Sequence, residues 1–61
     1  MYVLQEVYLE RWYCKMVSYR PTYTNLIEKA RRFSSLEEAV ETMNMLALMY
    51  YKVTLPKEYP C

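Results

Sequence analysis

Along residues 2–20 the apolar positions do not recur at helical spacing. On a helix, Glu6, Glu10, Arg11, Lys15 and Arg20 would scatter among valines, tyrosines and a tryptophan. Two strands suit the run better, over Tyr2–Leu9 and Trp12–Tyr19, joined around Glu10 and Arg11 as an antiparallel hairpin. In the second strand Trp12, Cys14 and Met16 alternate with Tyr13, Lys15 and Val17. Either set could face inward. Burying the first keeps Lys15 in water, so it is the expected core face. Arg20-Pro21 is expected to end the strand, because proline lacks a donor and restricts the residue before it.

The next segment, "TYTNLIEKARRF", admits two readings. Thr24 can cap a short helix with Leu26, Ile27, Ala30 and Phe33 on one face. Alternatively, one helical turn is followed by an extended "ARRF". Periodicity favours the helix.

"SSLEEAVETMNMLALMYY" predicts the main helix. Ser35 with Glu38 forms a capping box, and Ser34 with Glu37 forms a second in the adjacent register. Glu37, Glu38 and Glu41 lie near the positive end of the macrodipole. The expected inward stripe is Leu36, Ala39, Val40, Met43, Leu46, Ala47 and Tyr50, with Glu38, Glu41 and Thr42 outward and the helix ending near Met49. "YYKVTL" then alternates like a final strand, which Pro56 is expected to stop, leaving 56–61 as a loose tail. The expected fold is one small α+β domain over 1–61, with a hairpin, a short helical connection, one helix packed on the sheet and a C-terminal strand.

Composition narrows the chemistry. With 54% hydrophobic residues the chain is too apolar for disorder, and 61 residues hold only a thin core. The chain contains no histidine, glycine or aspartate. The commonest general base and metal ligand are therefore missing, as is the residue that phosphate-cradling loops require. Cys14 and Cys61 alone do not make a zinc site. The expectation is a protein that is not an enzyme and needs no metal or cofactor. Two cysteines are few for a stapled secreted domain, and "MYVLQEVYLER" is a poor leader. A reduced, cytoplasmic protein is expected.

Three sets of side chains are candidates for recognition. Met45, Leu48 and Met49 remain apolar on the side of the helix opposite its core stripe, where methionine adapts to a foreign surface. Tyr8, Tyr13, Tyr19, Tyr23 and Tyr59 lie outside the expected core and are potential anchors. Lys29, Arg31 and Arg32, near Tyr23, form a basic–aromatic cluster that could bind an anion. A net charge of +1 is low for a nucleic-acid binder, so a protein partner is favoured. The alternatives are nucleic acid and an obligate homodimer.

"NLIEKARRFSSLEEAVETM", between the Tyr-rich hairpin and "YYKVTL", resembles short phage-encoded accessory proteins of ββαβ layout, coliphage inhibitors of host RNA polymerase among them. The part that carries this resemblance is "FSSLEEA". The resemblance implies a phage or prophage protein that inhibits or redirects a host or defence enzyme in the host cytoplasm. It transfers no site residue.

Overall fold

A computed structural model describes residues 1–59. It contains β1 (Tyr2–Glu6), β2 (Arg11–Val17), β3 (Arg20–Thr24), a 3-10 turn (Ile27–Lys29), α1 (Leu36–Tyr50) and β4 (Thr54–Glu58). The strands form one antiparallel sheet in the order β3-β2-β1-β4, and α1 packs on it. The α+β architecture, the N-terminal hairpin, the main helix and the C-terminal strand are all present. Cys61 and the end of the expected tail lie outside the described residues.

Several local expectations need correction. The second strand ends at Val17, and Ser18 and Tyr19, both at positive φ, turn the chain straight into β3. Pro21 does not break the sheet. It sits opposite Met16 on an edge strand, where a missing donor leaves no ladder bond unmade. Pro56 is accommodated in the same way on the other edge, opposite Leu4. β4 therefore runs on to Glu58, and the amide of Tyr59 donates to the carbonyl of Met1.

The core-facing residues of β2 are drawn from both sets, with Met16 of the expected face and Tyr13 of the other, while Lys15 and Val17 are exposed. Tyr13 is only 4% exposed and belongs to the core, while Trp12 and Cys14 are half-buried. A register shift between Tyr13 and Lys15 is the cause. One extra residue in the strand lets Tyr13 and Met16, three apart, both pack on the core without burying Lys15.

The helix expected over 24–33 is replaced by the turn followed by the extended "ARRF" segment. Thr24 Oγ1 accepts from the amide of Leu26, which makes a local turn rather than a helix cap. β1 and β2 pair only at Gln5–Trp12 and Glu6–Arg11, so they splay toward the start of β1. Residues 31–33 enter that gap. The Arg31 amide donates to the Tyr13 carbonyl, and Phe33 and Tyr2 exchange both backbone bonds at 2.7 and 2.9 Å. Strand pairing thus satisfies backbone groups that the helix would have satisfied internally.

Leu4, Tyr13, Phe33, Ala39 and Leu46 form the core, with Tyr2, Met16, Tyr23, Met43, Met45 and Tyr50 packed around it. Fully burying a side chain such as Leu4 or Leu46 stabilises by roughly 1.5–3 kcal/mol. Of the expected inward stripe, Leu36 and Ala47 are instead exposed. α1 begins as expected: Ser35 Oγ accepts from the Glu38 amide at 3.2 Å, and Ser34 Oγ donates to the Glu38 carboxylate at 3.2 Å.

Candidate partner-binding surface

The last turn of α1, the 51–53 loop and the β1–β2 turn meet at one end of the domain. The helix closes on Tyr51, whose backbone is left-handed at φ 54°, ψ 35°. Its amide and that of Lys52 both reach the carbonyl of Leu46, so the helix closes on a left-handed residue without the usual glycine. Thr54 pairs with Glu6, and the Val7 amide donates to the Val53 carbonyl at 3.1 Å. That bond brings the two loops together.

The exposed side chains here are apolar. Leu48 is 79% exposed, Met49 64% and Tyr51 88%. On the β1–β2 turn Tyr8 is 82% exposed, flanked by Val7 and Leu9, each about half exposed like Val53. Among the described residues, Glu10 and Lys52 are the charged side chains of this end outside an ion pair, since Arg11 is bound to Glu6 at 3.1 Å. Sequence reasoning found Leu48, Met49 and Tyr8. It missed Tyr51, Val53, Val7 and Leu9, which it had assigned to strands, whose alternation conceals a loop.

The other expected partner-binding residues are placed elsewhere. Met45 is half-buried and packs against the core cluster, so it is not part of an outer apolar face. Tyr13 is buried, so it presents no surface. Tyr23 opposes Tyr13 across the strands, and the rings meet edge to face at 6.3 Å and 72°. Burial, followed by the nearby Glu6 carboxylate, pushes its hydroxyl pKa up to about 12 against the opposing pull of Arg11. Arg11 lies over the Tyr23 ring at 5.2 Å. The Tyr23 hydroxyl, Arg11 Nε and Thr54 Oγ1 are buried without a hydrogen-bond partner among the described residues. Tyr19 is freely exposed, but on the β2–β3 turn at the far end of β2.

The basic cluster is engaged within the domain. Arg31 lies over Phe33 at 5.4 Å. Arg32 stacks on Tyr59 at 4.3 Å and donates to its hydroxyl at 2.8 Å and to the Glu28 carbonyl at 3.4 Å. Lys29 contributes its carbonyl, which accepts from the Cys14 thiol at 3.4 Å. Lys29, Arg31 and Arg32 thus share one segment, while Tyr23, expected beside them, interacts with Arg11.

Among the described residues there is no pocket and no cluster of acidic, cysteine or histidine side chains able to hold a metal ion. None of the described helices is long and apolar enough to cross a membrane. The chain matches no family model, and the searches of curated proteins and solved structures return no match.

Proposed function

We propose that this protein is a non-enzymatic protein-binding module that works through the apolar end formed by Leu48, Met49, Tyr51 and Tyr8. The observation that carries the reading is the exposure of these large side chains together on two loops joined by the Val7–Val53 bond. A monomer rarely leaves a large apolar patch in water, so side chains of this size exposed at one end point to a contact. Tyrosine and methionine are also the residues that contribute most contact for least ordering at interfaces. The non-enzymatic part rests on the sequence, which lacks histidine and aspartate.

Within that reading, a small phage-type inhibitor or modulator of a host or defence enzyme, acting in the host cytoplasm, is the favoured role. Its support is the resemblance around "FSSLEEA". The nucleic-acid alternative is weaker, because Arg31 and Arg32 are already stacked on rings of their own chain.

A photo-cross-linking residue placed at Tyr51 tests the reading in an extract of the cells that produce the protein. A discrete protein adduct is expected from Tyr51 and none from Tyr19, at the far end. Adducts from Tyr19 or Arg32 alone would move the interface away from this surface.

A further inference from the structure

We propose that the occupant of the apolar end is a second copy of this chain, docked about a twofold axis; this rests on the protein-binding reading above. Two observations, taken together, favour a copy. The first is area. At exposures from 45% to 88%, the seven large apolar residues of this end leave in water an area comparable to the about 800 Å² that each side of a standard interface contributes.

The second is charge. A twofold contact sets a patch against itself, so a charged patch repels its own copy. Here one acidic residue, Glu10, and one basic residue, Lys52, leave the end neutral, and the whole chain carries only +1. The sheet edges offer no competing route to a dimer. β3 carries Arg20 and Pro21 and β4 carries Pro56 and Lys57, residues that discourage strand addition.

Sedimentation equilibrium of the full chain, from about 1 µM to about 1 mM, tests the proposal. The expected result is a reversible dimer with twice the 7.5 kDa mass of one chain, little affected by salt. Leu48→Glu and Tyr51→Gly, each verified as folded by circular dichroism, weaken the dimer at least tenfold, while Tyr19→Ala leaves it unchanged. Tyr51→Gly guards against a folding artefact, since glycine suits that backbone. A parent chain that keeps the single-chain mass throughout overturns the proposal, as does a dimer that both variants leave intact. The Tyr51 cross-link separates the two readings. A monomer that still cross-links to another protein removes the second copy and retains the docking surface; one that cross-links to nothing removes both.

Discussion

The amide of Val7 donates to the carbonyl of Val53, and this bond joins the turn after β1 to the loop after the helix. Both loops carry large apolar side chains outward. Neither loop alone would be unusual, since scattered exposed apolar residues are normal on protein surfaces. Together they place several large exposed apolar side chains at one end of the domain. The predictions below separate residues that hold the fold from residues that this end presents to a partner.

Tyr51→Gly is expected to leave the isolated domain as stable as the parent or up to about 1 kcal/mol more stable. Releasing the left-handed strain favours the folded state by about 1–2 kcal/mol, and the freer unfolded chain offsets part of that. The check is a thermal melt at a concentration where the chain is monomeric. A clear loss of stability would mean that the ring packs within the domain.

Ser35→Ala should cost about 1 kcal/mol, because its hydroxyl satisfies the Glu38 amide at the start of α1. Ser34→Ala should cost less, since Ser34 touches only the exposed Glu38 carboxylate. Denaturant melts of the two variants give the order. Equal costs would place the cap elsewhere.

Phe33→Ala is expected to destabilise by about 3–5 kcal/mol, enough to unfold much of a small domain. In the parent, hydrogen exchange should find the Arg31 and Phe33 amides protected, because they pair with Tyr13 and Tyr2. Exchange of both amides at the rate of the unfolded chain would exclude the inserted segment.

Stability should fall as pH rises from about 10 toward about 12. The folded state holds Tyr23 protonated until about 12, whereas the unfolded state releases that proton from its ordinary value of 10.0. The unfolded form thus binds fewer protons in this window, which lowers stability as pH increases. Tyr13, raised by burial, acts in the same direction. Tyr23→Phe should flatten the decline. It should also be neutral or stabilising at pH 7, because the buried hydroxyl has no hydrogen-bond partner among the described residues. Titration of melting temperature in parent and variant checks both parts, and identical alkaline slopes would contradict the assignment.

Much of this arrangement was legible in the chain. The double serine followed by glutamates marked the start of the helix, because a cap is a local interaction between adjacent residues. Leu48 and Met49 stood out because a helix has a fixed period and its core face was already filled. β3 was not legible. Its hairpin turns on Ser18 and Tyr19, both at positive φ without a glycine or asparagine to signal it. Pro21 and Pro56 read as stops because their tolerance depends on edge position, a property of the sheet order. The burial of Tyr13 followed from a bulge, which a strict period of two cannot register. The path of 31–33 depended on a gap between strands that exists only once the sheet has formed.

The central claim is that Leu48 and Met49 face a partner rather than the core. The most direct measurement is the melting temperature of Leu48→Glu, Met49→Glu, taken at monomeric concentration alongside cross-linking from Tyr51. The double variant is expected to melt within a few degrees of the parent, since mutations on exposed surface usually change stability by under about 0.5 kcal/mol. Its Tyr51 adduct is expected to disappear, because two charges would then be buried in an apolar contact. An unfolded variant would place these residues in the core, and a folded variant that retains the adduct would remove them from the interface.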